Sequence, residues 1–331
     1  MTADLVSVVV PARDEGQHID GCLRSILDQD WPSLEVLVVD GGSSDGTREK
    51  VHAISSRDPR VRLVSNPKGI IPAALNIALA HARSRWLVRV DAHASIPKDY
   101  VRIARELLAT NEYGAVGGRK NGQGVTPAGR AIAAVMGSRF GVGGSTYHFG
   151  NQATDVDHVP FGAYPVALVR ALGGWNEQLR VNQDFELDYR VRKAGYRIRF
   201  DPRMAIQWES RQSIRDLARQ YYRYGRGKVQ VAALHPASVN PRHIIPPTLV
   251  LGLAAAAVTA WRRPRLSALI AAPYGLVLAA GAITIGKRVD PEARPYIVPA
   301  MLAMHLSWGA GFWRGLGDVA RRWGPRGRTQ P

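Results

Sequence analysis

Cysteine is almost absent from this sequence of 331 residues. The single cysteine, Cys22, excludes an internal disulfide and any metal site built on several cysteines. This shortage is typical of a catalytic domain kept in a reducing compartment, and we expect Cys22 to be a small buried apolar residue. No signal peptide is evident, because the first four residues lead into a strand-like run without a basic region.

Acidic charge is the second shortage. The 44 Lys and Arg residues against 27 Asp and Glu residues give a formal net charge of +17. Such a surplus fits nucleic acid, an anionic membrane surface or phosphate-bearing substrates. Most of it lies in residues 190–242, directly before the apolar segments, where Lys and Arg are attracted to anionic lipid headgroups. We therefore expect membrane lipid and phosphate as partners, and no nucleic acid.

Short apolar runs alternate with helical periodicity through the first part of the chain. We predict strands over residues 7–11, 34–40, 61–64 and 86–91, and helices near 19–27, 70–82, 182–193 and 214–224. Alternation at this spacing predicts an α/β fold, with a mostly parallel, Rossmann-like sheet and helices on both faces. We expect the glycine-rich residues 114–150 to be irregular, with mobile loops over a site.

The longest apolar segments lie after residue 244. Residues 244–261, 266–285 and 296–313 approach the roughly 20 residues that a membrane-spanning helix needs. Three crossings from a cytoplasmic first domain would place Arg321, Arg322 and Arg326 outside, against the positive-inside tendency. Two crossings, with the first segment lying in the interface, keep the basic clusters inside, and we favour that arrangement. The predicted domains are a catalytic one, residues 1–230, with basic helices at about 205–243, and a membrane region, residues 244–331.

Acidic residues follow two of the predicted strands. Asp40 and Asp91 fall at strand ends, where parallel sheets bind ligands. In Asp91-Ala-His93, a carboxylate and an imidazole stand two residues apart, which suits Mn²⁺ or a similar divalent cation bridging two phosphates. The structural alternative is that Asp91 caps the next turn and His93 is exposed.

Three further motifs carry polar side chains. Asp40-Gly-Gly-Ser-Ser-Asp45-Gly-Thr47 suits a nucleoside, or is an ordinary turn with a helix cap. Asp184 starts a helix and is a candidate general base for an acceptor hydroxyl, or one acid of a solvated helix start. Gln220-Tyr-Tyr-Arg223-Tyr224 suits a pyrophosphate or sugar, or is a plain basic stretch beside a membrane.

In their order along the chain these motifs resemble the family 2 glycosyltransferases with a GT-A fold. The resemblance covers about residues 5–230 and favours the bacterial exopolysaccharide branch, of the succinoglycan type. It rests on the segments Val8-Val-Val-Pro-Ala-Arg-Asp-Glu15, Val38-Val-Asp-Gly-Gly-Ser-Ser-Asp-Gly-Thr47, Asp91-Ala-His93, Asn182-Gln-Asp-Phe-Glu186 and Gln220-Tyr-Tyr-Arg-Tyr224.

The resemblance implies roles for matching positions. The residues that it places around the donor are Pro11, Arg13, Glu15, Asp40, Asp45, Lys68 and Asp91. Asp91 and His93 match the metal-binding Asp-x-Asp motif, for Mn²⁺ or Mg²⁺, and Asp184 matches the base. Gln220, Arg223 and Tyr224 match the Gln-x-x-Arg-Trp element and would meet the acceptor or the pyrophosphate. His93 replaces the second Asp of the metal motif, which leaves the identity of the metal open. Gln183 stands where Glu usually precedes the base, so Asp184 is the sole candidate of that pair. Tyr224 replaces Trp in an element associated with processive polymerases, which argues against processivity.

The implied activity is inverting transfer of a hexose, such as glucose, from a UDP-sugar to a hydroxyl of a polyprenyl-linked saccharide. The enzyme would sit at the inner (plasma) membrane with its catalytic domain in the cytoplasm. A polyprenyl-phosphate sugar synthase is the nearest alternative, since its phosphate acceptor needs no deprotonated hydroxyl. A non-catalytic membrane scaffold that binds nucleotide-sugar or anionic lipid is the alternative from another class.

Overall fold

The structure is a computed structural model that describes residues 5–323 and divides into two compact units. The first unit contains Met1–Asn121 and Phe149–Glu209, and the second contains Gly122–His148 and Ser210–Pro331. These bounds differ from the predicted boundary near residue 230, because a middle segment of the chain joins the C-terminal part. Arg326, one of the basic residues used to predict orientation, lies outside the described residues.

Strands and helices alternate along the chain. The strands are β1 (Val6–Ala12), β2 (Leu34–Asp40), β3 (Val61–Ser65), β4 (Trp86–Arg89), β5 (Ala94–Ser95), β6 (Tyr113–Gly117), β7 (Lys120–Gln123), β8 (Thr154–Asp155), β9 (Ala163–Pro165), β10 (Arg197–Phe200) and β11 (Ile206–Glu209). The helices are α1 (Ile19–Leu27), α2 (Thr47–Ser55), α3 (Ile71–His81), α4 (Tyr100–Ala109), α5 (Pro127–Met136), α6 (Arg139–Val142), α7 (Val166–Ala171), α8 (Gln183–Lys193), α9 (Ile214–Leu234), α10 (Ile245–Thr259), α11 (Pro264–Gly286) and α12 (Ile297–Trp323).

The first unit is built on an eight-stranded sheet in the order β3-β2-β1-β4-β9-β6-β10-β8. β1 runs parallel to both β2 and β4, whereas β9 runs antiparallel to β4 and β6. β2 is buried at every position, as its continuous apolar run predicts for a strand covered on both faces. The prediction of a mostly parallel α/β sheet is confirmed, and the carboxyl ends of β1, β2 and β4 share one edge.

The prediction of irregular, mobile loops over residues 114–150 was wrong. This segment forms β6, β7, α5 and α6. Several of its glycines lie where packing is tight: a Cβ built on Gly118 would lie 1.9 Å from the Met204 carbonyl oxygen. Glycine is the residue that allows this approach of two backbone segments. α5 begins after Thr126, whose hydroxyl accepts a hydrogen bond from the Gly129 N–H.

In the second unit, α9 begins where predicted but runs ten residues further, to Leu234 rather than residue 224. The Ser213 side chain caps its first turn by accepting a hydrogen bond from the Asp216 N–H. The helix continues through Gly225 and Gly227, and α12 packs closely against it. A Cβ on Gly311 of α12 would lie 2.0 Å from the Tyr222 carbonyl oxygen.

Two helices of the described chain are long and apolar enough to cross a membrane. The first is Pro241–Thr259, which is α10 with the short helical turn before it, and the second is Pro264–Gly286, which is α11. Their large side chains are exposed, for example Val258 at 81% and Leu269 at 72%, whereas a core helix would bury them. This pair differs from the pair that the sequence favoured, residues 266–285 with 296–313. α12 contains the third segment and packs on α9, and its side chains Met301, Met304 and Phe312 are buried.

Candidate active site

The β2–α2 loop is organised by Asp40, the last residue of β2. Its buried carboxylate accepts hydrogen bonds from the backbone N–H groups of Gly42 and Ser43, from the Ser43 hydroxyl and from Arg48. Burial alone would raise the pKa of Asp40, but the hydrogen bonds from Ser43 and Arg48 outweigh it and hold that pKa below its usual range. Asp40 therefore stabilises the conformation of the β2–α2 loop through these hydrogen bonds.

Asp45 joins this loop to the one after β1. One of its oxygens accepts a hydrogen bond from the Gly16 N–H at 2.8 Å, and the other accepts from the Thr47 hydroxyl and N–H. The hydrogen bond from Thr47 lowers the pKa of Asp45. Asp14, with a positive φ of 54°, accepts a further hydrogen bond from the Ser44 N–H. The two loops thus form one surface at the edge of the sheet.

Arg13 and Lys68 present exposed cationic ends near these loops. The Arg13 side chain is 62% exposed, and its Nη1 lies 3.4 Å from the Gly69 carbonyl oxygen. Lys68 Nζ lies 2.5 Å from Glu177 Oε2. Pro11, near the end of β1, pairs in register with Val39 of β2. Arg13 and Lys68 have the exposure and charge that contact with a phosphate-bearing ligand needs.

His93 links Glu15 to Trp208. Its Nδ1 lies 3.0 Å from Glu15 Oε1, and its Nε2 accepts a hydrogen bond from Trp208 Nε1 at 2.9 Å. An indole N–H only donates, so Nε2 carries no proton and Nδ1–H donates to Glu15. Both ring nitrogens of His93 are therefore engaged within the protein.

Arg89 holds the predicted metal ligand and the predicted base together. This last residue of β4 is 4% exposed. Its Nε donates to Asp91 Oδ1 at 2.8 Å, and its Nη1 donates to Asp184 Oδ2. Burial alone would lower the pKa of the Arg89 guanidinium, but Asp184 and Asp91 hold that pKa above its usual range. Two acids separated by 93 residues in the chain thus meet at one cation.

Asp184 is fixed on both of its oxygens. Oδ1 accepts a hydrogen bond from the indole Nε1 of buried Trp175 at 3.2 Å, and Oδ2 accepts from Arg89. The residue lies in the first turn of α8, where the helix dipole favours a negative charge. The side chain is positioned with little freedom, as a general base requires.

Backbone strain is concentrated around this cluster. Of the four non-glycine residues with positive φ in the described chain, Phe161 and Asn182 lie beside it and Asp14 lies in the β1 loop. Phe161, at φ 53°, is the unusual one, because bulky residues rarely adopt this region. Its ring lies 5.3 Å from the Arg89 guanidinium carbon, a cation–π contact. Strain of this kind is typical of functional sites.

A second, buried carboxylate of α8, Asp188, binds the preceding segment of the chain to this helix. Asp188 accepts hydrogen bonds from His158 Nδ1 at 2.7 Å, from the Val159 N–H at 3.0 Å and from the Tyr164 hydroxyl at 2.9 Å. Burial raises the pKa of Asp188, although the His158 contact opposes the shift. The segment after residue 157 is thereby tied to the helix that carries Asp184.

Gln220, Arg223 and Tyr224 lie on α9, in the second unit. Gln220 is buried, and its Nε2 donates to the Tyr224 hydroxyl at 3.1 Å, while its Oε1 has no hydrogen-bond partner in the described part of the chain. Arg223 is exposed. Gln220 and Tyr224 are thus hydrogen-bonded to each other, whereas Arg223 Nε donates to the Arg219 carbonyl oxygen at 3.4 Å.

A divalent cation fits these residues in part. Asp91 Oδ2 has no hydrogen-bond partner among the described residues and is available as a ligand. His93 Nε2 is available only if Trp208 releases it. Residues 5–323 contain no group of three His, Cys, Asp or Glu side chains arranged to hold a metal. Asp91 is the residue that best fits a cation bound mainly by ligand oxygens.

Sequence reasoning missed Arg89, Trp175 and Trp208. Arg89 carried a usable signal, since a charged residue inside the apolar run Trp86-Leu-Val-Arg-Val90 must be paired if the strand is buried. Trp175, in Gly173-Gly-Trp175, strengthens the resemblance to the exopolysaccharide branch, but the sequence does not show that its indole binds Asp184 or that Trp208 binds His93.

Comparison with known proteins places this arrangement among sugar-transferring enzymes. Residues 7–171 match the family model described as Glycosyl transferase family 2. The chain is 33% identical over 337 residues to the succinoglycan biosynthesis protein ExoA of Rhizobium meliloti (strain 1021), covering 97% of this chain and 98% of that protein.

Two solved structures have a similar fold. The mannosyltransferase PcManGT from Pyrobaculum calidifontis, in complex with GDP-Man and Mn²⁺, has a TM-score of 0.60 at 23% identity, covering 95% of this chain and 87% of that one. TarS 1-349 of S. aureus, in complex with UDP-GlcNAc, has a TM-score of 0.50 at 17% identity, covering 95% and 92%.

Proposed function

The chain belongs to glycosyltransferase family 2 and has the GT-A fold, and we propose that it transfers a hexose, such as glucose, with inversion. The donor is a nucleotide-diphosphate sugar, a UDP-sugar, and the acceptor is a hydroxyl of a polyprenyl-linked saccharide. The reaction belongs to exopolysaccharide or cell-envelope glycan synthesis. Similarity to ExoA over nearly the whole of both chains supports this assignment.

The observation that carries the proposal is the Asp91–Arg89–Asp184 cluster. Inverting transfer needs a group that holds the leaving diphosphate and a base that accepts the proton of the attacking hydroxyl. Asp91 and Asp184 are bound to different nitrogens of the Arg89 guanidinium. The two carboxylates therefore lie close enough to act on one bound sugar. In this mechanism Asp184 deprotonates the acceptor hydroxyl, and the hydroxyl oxygen attacks the anomeric carbon opposite the leaving diphosphate.

The donor nucleoside lies against the loops after β1 and β2 in this proposal. Arg13, Glu15 and Lys68 offer side chains to it, whereas Asp40 and Asp45 hold the loop backbone in shape. Pro11 is placed at the base of this surface by its register with β2.

A divalent cation, Mn²⁺ or Mg²⁺, would be held by Asp91, and His93 adds a second ligand only when Trp208 releases its ring. When bound, the cation supplies neutralisation of the negative charge that develops on the leaving diphosphate. Mn²⁺ in the structure of PcManGT supports this part of the proposal.

In this proposal Gln220, Arg223 and Tyr224 contact the acceptor or the pyrophosphate. Two crossings by α10 and α11 return the chain to its side of entry, which places α9 and Arg321 on one side. We assign that side to the cytoplasm of the inner membrane, in line with the positive-inside tendency of Arg321. The short basic link between α10 and α11, which contains Arg262 and Arg263, would then lie on the opposite side of the membrane, against that tendency.

A screen of nucleotide-sugars tests the proposed activity. A donor that binds the folded protein raises its thermal midpoint, and we expect a UDP-sugar with Mn²⁺ to give the largest increase. The product formed from that donor should carry a glycosidic bond that resists mild acid and alkali. An acid- and alkali-labile product indicates a polyprenyl-phosphate sugar synthase, and neither transfer nor hydrolysis of any donor with Mn²⁺ indicates a binding scaffold.

A further inference from the structure

An open, positively charged pocket lies on the second unit, where it is lined by α9, by Arg211 just before α9, and by α12. Its volume is about 690 Å³, and we call it the basic pocket. The lining residues that matter here are Arg211, Asp216, Arg219, Tyr222, Arg223 and Ser307. A volume of this size accommodates a headgroup larger than a single phosphate.

The charge of the basic pocket is unbalanced. Three guanidinium groups face one carboxylate, and Asp216 is already paired with Arg219 at 3.2 Å and with the Ser213 hydroxyl at 2.8 Å. Neither Arg211 nor Arg223 forms a salt bridge with a carboxylate in the described part of the chain. The pocket thus has two surplus positive charges, which matches the two negative charges of a diphosphate diester.

Two of the three guanidinium groups are presented by one face of α9, and Arg211 lies just before this helix. Arg219, Tyr222 and Arg223 are separated by three and four residues on α9, so their side chains lie side by side. All three are exposed, as is Arg211. Gln220 and Tyr224 form their own contact on a neighbouring face and do not line the pocket.

The pocket also lies at the start of a candidate membrane helix. Ser307 is two residues from Gly309, where a Cβ would lie 2.4 Å from the Pro246 carbonyl oxygen of α10. The Trp313 indole donates to the Pro247 carbonyl oxygen at 3.0 Å. Pro246 and Pro247 belong to the first turns of that helix, so the pocket lies at the level where lipid phosphates meet water. Trp313 and Tyr222 suit the same level, since Trp and Tyr are enriched there.

We propose that the basic pocket binds the diphosphate of the polyprenyl-linked acceptor and holds it at the membrane surface. This rests on the proposed function for the identity of the lipid. Arg211 and Arg223 contact the phosphate oxygens, Arg219 completes the cationic wall, and the Tyr222 ring and Ser307 hydroxyl border the headgroup. The pocket is thus a binding site for the acceptor that is separate from the donor loops.

Vesicle binding by the full chain tests the proposal. The probes are phosphatidylcholine vesicles alone, vesicles with a small fraction of polyprenyl diphosphate, and vesicles with phosphatidylglycerol at equal charge. The test variant is Arg211→Gln with Arg219→Gln, and the matched control is Arg215→Gln, which removes an exposed charge of α9 outside the pocket. Circular dichroism midpoints verify that each variant folds.

We expect the double variant to lose about tenfold or more in affinity for the polyprenyl diphosphate vesicles, because charge-assisted hydrogen bonds are lost. The control should change by less than about twofold. Inorganic pyrophosphate should compete for the wild-type protein. An equal loss of affinity for phosphatidylglycerol vesicles would show a general attraction to anionic lipid. An equal loss in the Arg215→Gln control would show that the position of the charge on α9 does not matter. Either result overturns the proposal, as does a double variant with unchanged affinity.

Donor stabilisation, measured in the same variants, separates this proposal from the proposed function. If wild-type protein neither binds donor nor transfers sugar, the proposed function fails while vesicle binding still decides the pocket. If transfer proceeds and the double variant keeps the wild-type KM for the lipid acceptor, the pocket assignment fails while the proposed function stands.

Discussion

Substitution of Asp184 by asparagine separates its chemical role from its structural one. Both partners of the carboxylate, Arg89 Nη1 and Trp175 Nε1, are obligate donors. An amide offers one acceptor oxygen, so in Asp184→Asn one of the two donors must face an NH₂ group. We expect the free energy of unfolding to fall by about 1–3 kcal/mol, the cost of a buried group left unpaired.

The catalytic loss should be much larger than this structural cost. Removal of a general base typically lowers the rate by about 10²–10⁴-fold. Donor binding should stay near wild type, because in this mechanism Asp184 acts on the acceptor hydroxyl and the donor is held by Asp91 and the loops after β1 and β2. Transfer with the preferred donor, donor thermal stabilisation and denaturant unfolding followed by circular dichroism measure the three quantities. Asp28→Asn, at a carboxylate that is 61% exposed, is the control and should change stability by less than about 0.5 kcal/mol.

A double-mutant cycle with Trp175→Phe tests the geometry itself. Phenylalanine removes the indole N–H, so this change should cost about 1 kcal/mol less in the Asp184→Asn background than in wild type. Equal costs in both backgrounds would refute the hydrogen bond between the two residues, and appreciable transfer by Asp184→Asn would remove Asp184 from the role of base.

Three further substitutions address neighbouring features. Arg89→Met leaves two acids without their buried cation, so unfolding in denaturant should show a loss of about 3–5 kcal/mol; a loss below about 1 kcal/mol would contradict the pairing. The pKa of Asp40 is lowered on folding. The ionised carboxylate therefore stabilises the folded protein above the unfolded-state pKa of about 3.9, and this stabilisation is lost as the pH falls through the lower folded-state pKa. The difference in thermal midpoint between wild type and Asp40→Asn should therefore shrink on acidification, and a constant difference would argue against it. Trp208→Phe frees His93 Nε2 and should lower the Mn²⁺ concentration needed for half-maximal donor stabilisation, whereas an unchanged concentration would show that His93 is not a ligand.

The sheet was predictable because its signals are local. Each of the first four strands is a short apolar run, and the alternation with amphipathic helices determines a parallel arrangement. The predicted strand over residues 34–40 has the observed bounds of β2. The strand predicted over residues 86–91 ends two residues earlier, at Arg89, so Asp91 lies in the turn that follows β4.

The errors arose where long-range packing decides the structure. Glycine-rich residues 114–150 suggested loops, yet Gly118 is required by contact with Met204, which a local pattern does not reveal. Likewise, the predicted helix near residues 214–224 ends ten residues too early, and the helix continues through Gly225, where the backbone of α12 approaches closely. The strand-end positions of Asp40 and Asp91 were accessible from the sequence, whereas the joining of Asp91 to Asp184 through Arg89 required the fold.

A structure of the Asp184→Asn protein with its nucleotide-sugar and Mn²⁺ bound tests the central claim most directly. We expect the diphosphate and the cation at Asp91, with the anomeric carbon of the sugar between that position and the side chain at position 184. A donor bound elsewhere in the first unit, with position 184 outside contact of the sugar, would contradict it.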